Sequence, residues 1–319
     1  MENTIHNNNL PVVSVIMLAF NHAAWVRQAM ESVLNQKTEF LFEILIGDDA
    51  SSDGTSEIVQ EYAERYSGRI ISFIRRKNMG ATKNLYDLIE HAQGTYLAYL
   101  ECDDYWSDCT KLQKQVEFLE EHREYIGCTH RIATIDGAGN RIKREFTWIS
   151  NCEHYTIRDF QGIVLPGHIS SLVHRNIFSG TEGTYEGLIT LHPVISDRVL
   201  GLILASRGDL YQFPQEMSCY RIPEKSGESA TAKMYLNNPN EILEEYLFTY
   251  RLRKYGKKYH GIHADFSMHV LELLSAAVHD FLEKPGVFRF WVVVRILLME
   301  HDIRLFQHLL RKLFEIMKR

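Results

Sequence analysis

Residues 12 to 20 form a nearly continuous apolar run, VVSVIMLAF, that is rich in β-branched side chains. Such a run is typical of a strand buried on both faces of a parallel sheet. Strand and helix patterns then alternate, with strands predicted over 12–20, 42–47, 70–74 and 96–100 and helices over 24–35, 55–66 and 82–92. This alternation predicts an α/β fold with right-handed crossovers and a doubly wound, mostly parallel sheet flanked by helices.

The pattern changes after residue 106. It predicts a helix over 111–122, strands over 126–134 and 141–148, a helix over 196–208, and short strands over 210–213 and 217–222. From Pro239 onward the pattern is wholly helical. We therefore predict one mixed domain over 1–235, with halves of about 11–106 and 107–235, followed by a helical C-terminal region over 236–319.

Polar residues follow three of the predicted strands. Ala19-Phe20-Asn21 comes after the first, DDASSDGT over residues 48–55 after the second, and Glu101-Cys102-Asp103-Asp104 after the fourth. In doubly wound sheets, ligands bind beyond the carboxyl ends of the strands. The sequence therefore predicts that these three loops converge on one rim.

The acidic loop at residues 101–104 is a candidate cation site. Strand alternation places Glu101 and Asp103 on one face and Asp104 on the other. Two carboxylates on one side provide half of a site for Mg²⁺ or Mn²⁺. The alternative for residues 101–104 is a solvated acidic loop without a cation. The run at 48–55 also has two interpretations: a loop that binds a base, or a structural turn in which Asp53 is the helix N-cap.

Composition excludes some classes of protein. A net charge of -6 provides no global field for nucleic acid. Five scattered cysteines without a C-x-x-C pair indicate reduced thiols. The first strand-to-helix turn, Phe20 to Ala23, has no G-x-G-x-x-G, which disfavours a dinucleotide-dependent oxidoreductase. No secretory signal is recognisable at the N-terminus, and Arg289 and Arg295 interrupt the most apolar stretch, so we predict a cytoplasmic protein.

Four segments together resemble the family 2 inverting glycosyltransferases of GT-A fold: residues 11–36, 42–55, 77–84 and 94–106. Residues 167–175, 195–200 and 218–222 resemble it more weakly. The resemblance implies transfer of a sugar from a nucleotide diphosphate donor, UDP or dTDP favoured, to a hydroxyl of a glycan or lipid-linked acceptor. It also implies inversion at the anomeric carbon, a divalent cation, Mn²⁺ or Mg²⁺, and a role in bacterial surface polysaccharide or capsule biosynthesis.

The resemblance also assigns candidate donor-binding residues: Ala19, Phe20, Asn21, Asp49, Lys83, Glu101, Cys102 and Asp103. Phe20 stands where the family usually has tyrosine, which keeps a stacking face. Asp49 would bind the base. Lys83 would approach the diphosphate or be an exposed helix lysine. The family metal motif is D-x-D-D, so Asp103 would contact the ion directly and Glu101 at longer range or through water.

On the acceptor side, the resemblance gives Asp197 as the catalytic base. The alternative is an acid that interacts with a helix dipole, and Glu182 and Glu186 are fallback bases. His168, Asp104, Trp106 and Arg221 are candidate acceptor or diphosphate contacts, with a satisfied loop histidine and a surface arginine as alternatives for His168 and Arg221. The family often has a histidine two residues after that arginine, where this chain has Pro223.

A basic amphipathic helix is predicted near the C-terminus from Phe306, Leu309, Leu310, Leu313, Phe314 and Met317. It could lie on an anionic inner leaflet, although packing against a neighbouring helix or a second subunit in a homo-oligomer is favoured. Two other classes remain open for the whole chain. One is a non-catalytic, receiver-like module that binds nucleotide and metal, and the other is an inactive glycosyltransferase-like scaffold.

Overall fold

The computed structural model describes residues 10–179, 186–222, 238, 240–262, 264–300 and 307. Across these residues the strands are β1 (Val13–Ala19), β2 (Phe42–Asp48), β3 (Ile70–Ile74), β4 (Tyr96–Glu101), β5 (Tyr105–Trp106), β6 (Tyr125–Ile135), β7 (Arg141–Ile142), β8 (His154–Tyr155), β9 (Val173–Arg175) and β10 (Asp209–Arg221). The helices are α1 (Val26–Leu34), α2 (Thr55–Arg65), α3 (Ala81–His91), α4 (Lys111–Glu121), α5 (Glu186–Ile189), α6 (Asp197–Arg207), α7 (Glu241–His260), α8 (Ser267–Glu283) and α9 (Val287–Glu300).

One sheet with the strand order β3-β2-β1-β4-β9-β6-β10-β5 forms the centre of the molecule. β1 pairs in parallel with β2 on one side and with β4 on the other, and β3 continues beyond β2. β9 lies antiparallel between β4 and β6, and β10 runs parallel to β6. The predicted fold class is confirmed, and the strand order reverses between β1 and β4, which is where such sheets bind ligands.

Helices cover both faces of the parallel half. In β1, Val13, Val15 and Met17 belong to the apolar cluster that includes the buried side of α1, while Ile16 belongs to the cluster on the opposite face. The buried residues of α1 recur at helical spacing: Val26, Ala29, Met30 and Val33. This arrangement explains why β1 reads as a continuous apolar run rather than an alternating one.

The C-terminal helices share the second of these cores. Buried residues of α6, α7, α8 and α9 belong to the same apolar cluster as those of α3. The helices α7, α8 and α9 of the predicted helical region thus pack against the sheet domain. Among the described residues, no helix is both long enough and apolar enough to cross a bilayer. The predicted basic amphipathic helix lies outside the described residues, apart from position 307.

Two strand predictions were wrong in extent. The predicted strand over 141–148 is limited to Arg141–Ile142, and Phe146 and Trp148 beyond it pack ring against ring at 5.2 Å. The two short strands predicted over 210–222 form the single strand β10, with shifts in its register against β6 between Phe213 and Ser218. Pro214 lies in that interval and has no N–H to donate, so the ladder is interrupted although the chain stays extended.

Candidate active site

The three polar loops meet at the carboxyl edge of the sheet. Ala19 at the end of β1 is in register with Asp48 at the end of β2, and Leu18 is in register with Glu101 at the end of β4. The backbone N–H of Asp49 donates to the carbonyl of Ala19, and that of Cys102 donates to the carbonyl of Leu18. The rim that the sequence predicts therefore exists, at the point where strand order reverses.

The acidic loop turns back on itself directly after β4. The N–H of Asp104 donates to the carbonyl of Glu101 at 3.0 Å. Strand alternation therefore stops at Glu101, and the prediction that Asp104 points away from Glu101 was wrong. Glu101, Asp104 and His168 each bring one ligand atom to within 4.8 Å of the others.

Asp104 is 1% exposed and is only partly satisfied. Its Oδ1 accepts the N–H of Arg221 at 2.8 Å, whereas Oδ2 has no hydrogen-bond partner among the described residues. His168 Nδ1 lies 3.8 Å from Oδ2. A buried carboxylate oxygen without a donor is costly unless a cation or water completes it. This oxygen, a carboxylate oxygen of Glu101 and a ring nitrogen of His168 could together hold a divalent cation.

His168 is held by a buried 3-10 turn, Ile169–Ser171. The Ser170 N–H lies 3.3 Å from His168 Nδ1, and the indole N–H of Trp106 donates to the Ser170 carbonyl at 2.9 Å. Burial lowers the pKa of His168 to about 3, so the ring is neutral at physiological pH. Trp106 is 4% exposed and stabilises this turn through that hydrogen bond.

Arg221 fixes the acidic loop from the end of β10. Its guanidinium donates to the carbonyls of Asp103, Asp136 and Gly137 and to Oε1 of Gln28. The side chain is 5% exposed, so the alternative of a surface arginine was wrong. The positive charge of Arg221 lies close to the carboxylate of Asp104, and its N–H groups hold the backbone carbonyls in place.

Several carboxylates share this rim. Burial, followed by the charges of Asp103 and Asp197, raises the pKa of Glu101. Burial, followed by the charges of Asp103 and Glu101, raises the pKa of Asp104 well above its usual range. Asp197, the first residue of α6, is half-buried, and burial raises its pKa as well. Carboxylates that repel one another in this way would be stabilised by a bound divalent cation.

The donor-side residues lie along the ends of β1 and β2. Both carboxylate oxygens of Asp49 accept backbone N–H groups, from Met79 at 2.7 Å and from Gly80 at 2.9 Å. Asp49 thus ties the 79–80 loop to the rim. Phe20 is 44% exposed and its ring is available for stacking, while Ala19 is buried.

The remaining donor candidates differ in exposure. Asn21 has a positive φ of 57°, and its Oδ1 accepts the N–H of Ser52 at 2.9 Å. Cys102 is fully buried, which raises the pKa of its thiol and agrees with a small apolar filler. Lys83 is exposed on the first turn of α3. Of the fallback bases, Glu182 and the side chain of Glu186 lie outside the described residues.

Two residues of the site were not singled out from the sequence. His22, in the loop after β1, brings Nε2 to 3.9 Å from Oδ2 of Asp103. It follows Asn21 directly, so inspection of one more loop residue would have found it. Lys111 is fully buried at the start of α4, with Nζ 4.2 Å from the centre of the Trp106 ring. No local pattern marks this lysine as buried.

Comparison with known proteins gives the class to which this fold and site belong. The sequence model of glycosyl transferase family 2 matches residues 14–178, just over half of the 319-residue chain. The chain therefore belongs to glycosyl transferase family 2. The match includes the three loops of the rim and His168, and it ends before Asp197.

Individual relatives extend the comparison. An uncharacterized protein of Mycobacterium tuberculosis, Rv1520, is 38% identical over 216 residues, which cover 66% of this chain and 58% of that protein. The chain thus spans less than two thirds of that relative. TuaG of Bacillus subtilis, named for a glycosyltransferase of teichuronic acid biosynthesis, is 40% identical over 111 residues, 35% of this chain and 43% of TuaG.

A solved structure agrees with the fold. The crystal structure of S. aureus TarS 1-349 in complex with UDP-GlcNAc superposes with a TM-score of 0.60 at 15% sequence identity. The match covers 89% of this chain and 79% of that chain. At this identity the likeness shows the fold alone, and it includes the C-terminal half beyond the region matched by the family model.

Proposed function

We propose that this protein is an inverting glycosyltransferase that transfers a sugar from a UDP or dTDP sugar to a hydroxyl of a glycan or lipid-linked acceptor, with Asp197 as the base. The observation that carries the proposal is that Glu101 ends β4 at the switch point of the sheet and that the charge of Asp197 is one of the causes that raise the pKa of Glu101. A base on one side of the anomeric carbon and a diphosphate site on the other are what single displacement needs.

Each side of the rim has a separate task in this proposal. Phe20 stacks on the nucleobase, and Asp49 holds the 79–80 loop against it while presenting its carboxylate to a base N–H. The half-buried carboxylate of Asp197 removes the proton from the attacking hydroxyl. Because burial raises its pKa, Asp197 is a stronger base than an exposed aspartate, although less readily ionised. The name of TuaG, a teichuronic acid biosynthesis glycosyltransferase, supports a role in polysaccharide synthesis, and the UDP-GlcNAc bound to TarS supports a UDP sugar as donor.

The acidic loop would hold the divalent cation. Glu101 belongs to both candidate ligand sets: the pair with Asp103 that the motif indicates, and the group with Asp104 and His168 in which the ligand atoms converge. When bound, such a cation would neutralise charge on the departing nucleoside diphosphate. Arg221 keeps the loop in the shape that presents these carboxylates.

The direct test is turnover of a panel of UDP, dTDP, GDP and CMP sugars, with and without Mn²⁺, followed by NMR of the anomeric configuration of the product. We expect metal-dependent turnover of one UDP or dTDP sugar and a β-linked product from an α-linked donor. Retained configuration would contradict the single displacement. Nucleotide binding without turnover on any acceptor would favour the non-catalytic scaffold instead.

A second prediction concerns the shared ligand. We expect Glu101→Gln to weaken Mn²⁺ binding by about 10- to 100-fold or more, measured by calorimetry with UDP present, because Glu101 belongs to both ligand sets. Asp103→Asn and Asp104→Asn measured in parallel show which carboxylate completes the site. The control is Asp209→Asn, an exposed aspartate at the opposite end of β10. Unchanged Mn²⁺ affinity in Glu101→Gln would contradict the assignment of the acidic loop as the cation site.

A further inference from the structure

The loop that leads to Asp197 is fixed from two sides. Nδ1 of His192 accepts the N–H groups of Val194 at 3.2 Å and of Ile195 at 2.8 Å. Burial lowers the pKa of His192 to about 4, so the ring is neutral and Nδ1 is free to accept. On the other side of the loop, the N–H of Thr82 at the start of α3 donates to the carbonyl of Pro193. Residues 192–198, called the base loop below, therefore have a defined backbone path.

Arg198, which follows Asp197 directly, is held by side chains of the C-terminal helices α7 and α8. Its Nη1 lies 2.5 Å from Oε1 of Glu245 on α7, and both side chains are largely buried, at 12% and 13% exposure. Nε2 of His269 on α8 lies 3.0 Å from the same carboxylate oxygen. Three elements distant in sequence thus meet at one ion pair, one residue away from Asp197.

Packing reinforces this ion pair. The guanidinium of Arg198 lies over the ring of Phe248, one turn along α7 from Glu245, at 5.3 Å. The His192 ring packs against the same Phe248 at 4.8 Å. One side chain of α7 therefore supports both ends of the base loop, and Glu245 fixes its last residue by charge.

The carboxylate of Glu245 is ionised in this setting. Burial alone would raise its pKa, but the hydrogen bond from His269 and the charge of Arg198 lower the pKa to about 2. A largely buried, ionised pair with several partners has a fixed geometry, in contrast to an exposed ion pair, whose side chains move between rotamers. Such a pair is suited to hold a neighbouring group in one position.

We propose that Glu245 is a positioning residue for the reaction: through Arg198, and with His269 behind it, it holds Asp197 at the rim of the sheet. The inference rests on the function proposed above, in which Asp197 is the base. It makes the C-terminal helical region part of the active site, because α7 and α8 supply the groups that fix the base loop. A misplacement of about 1 Å in a reacting group lowers the rate by about 100-fold.

The test is Glu245→Gln in the full chain, compared with Asp197→Asn and with Glu241→Gln, an exposed glutamate on the same helix as Glu245. We expect Glu245→Gln to lower kcat, normalised to the number of UDP-binding sites, by about 10- to 100-fold. The Kd for UDP and the donor KM should stay unchanged. Glu241→Gln should retain wild-type values. A role in folding alone would reduce the number of UDP-binding sites and leave kcat per site intact.

A double-mutant cycle identifies the route of the effect. If Glu245 acts through Arg198, Glu245→Gln combined with Arg198→Gln should have nearly the same kcat as Arg198→Gln alone. Should Glu245→Gln fail to fold, His269→Gln tests the same link, with a smaller decrease in kcat and an unchanged Kd for UDP. Full kcat in whichever of the two variants folds, together with an inactive Asp197→Asn, would overturn the positioning role only. Full kcat in Asp197→Asn would instead overturn the proposed base.

Discussion

Asp197→Asn is expected to lower kcat by about 100- to 10,000-fold, because asparagine cannot accept the proton of the attacking hydroxyl. The substitution is nearly isosteric. Asp197 Oδ1 accepts the N–H of Arg198 at 2.8 Å, and an asparagine side-chain oxygen can accept the same bond. The fold should therefore be unchanged. The affinity for UDP should change far less than kcat, because Phe20 and Asp49, the residues proposed to bind the base, are not altered. Steady-state kinetics with the identified donor and titration calorimetry with UDP measure the two quantities.

The alternative for Asp197 makes a different prediction. An acid that only interacts with the helix dipole would change the free energy of unfolding by about 0.3–1 kcal/mol and leave kcat intact. Asp209→Asn controls for the loss of one negative charge, because Asp209 is exposed and begins β10, at the end of the strand opposite Arg221. Wild-type kcat in Asp197→Asn with a slightly lower stability would show that the carboxylate only interacts with the dipole of α6 and takes no part in the chemistry.

Lys111→Met is expected to stabilise the protein at neutral pH by an amount on the order of a few kcal/mol. Lys111 is fully buried, and its Nζ has no hydrogen-bond partner among the described residues. The face of Trp106 at 4.2 Å offers it only a partial substitute for water. Burial lowers the pKa of Lys111 from 10.5 to about 7. Methionine has a similar length and no charge to bury.

The stability gain should depend on pH with a definite sign. Below about pH 7 the lysine is charged in both the folded and the unfolded chain, and its full destabilising effect is present. Between pH 7 and 10.5 the unfolded chain binds one more proton than the folded protein, so the free energy of unfolding of the wild type rises with pH. This rise should be absent in Lys111→Met, and the difference between the two proteins should shrink from pH 7 to pH 10.

Urea unfolding of both proteins at several pH values measures this difference. The control is Lys114→Met on the same helix, because Lys114 is 47% exposed and pairs with Asp108 at 2.6 Å. Its substitution should change the free energy of unfolding by at most about 1 kcal/mol at every pH. A less stable Lys111→Met at pH 7 would mean that the ammonium has a favourable partner in solution, which would contradict its unsatisfied burial.

The location of the site could be predicted from the sequence because the signals are local. Apolar runs and helical spacing identify the strands and helices of the first half, and the crossover rule places the carboxyl ends of parallel strands on one edge. The loops that contain Ala19, Asp49 and Glu101 were predicted to share one rim on this basis alone, and they do. The resemblance to a known family then added the roles proposed for these residues.

Within a few residues of each strand end, the local signals fail. Alternation predicts the direction of Asp104 only while the strand continues, and a single backbone hydrogen bond from Asp104 to Glu101 ends the strand and reverses that direction. The interruption at Pro214 likewise marks a shift in register without ending β10. At Asp104, the direction of the side chain depends on a hydrogen bond that a pattern of residue types does not specify. At Pro214, the missing N–H is evident from the sequence, but whether the chain stays extended beyond it is not.

The sequence by itself determined the order of elements, the sheet class and the rim of polar loops, because periodicity and chain connectivity are properties of neighbouring residues. The resemblance to the family had named His168 and Arg221 as candidates, but only the tertiary structure decided which atoms of distant side chains reach that rim. His168 and Arg221 reach the acidic loop although they lie 67 and 120 residues after Glu101 in the chain. Glu245 reaches the base loop although it lies 47 residues after Arg198. Their positions result from packing and hydrogen bonds between elements that are remote in the chain, which no local pattern contains.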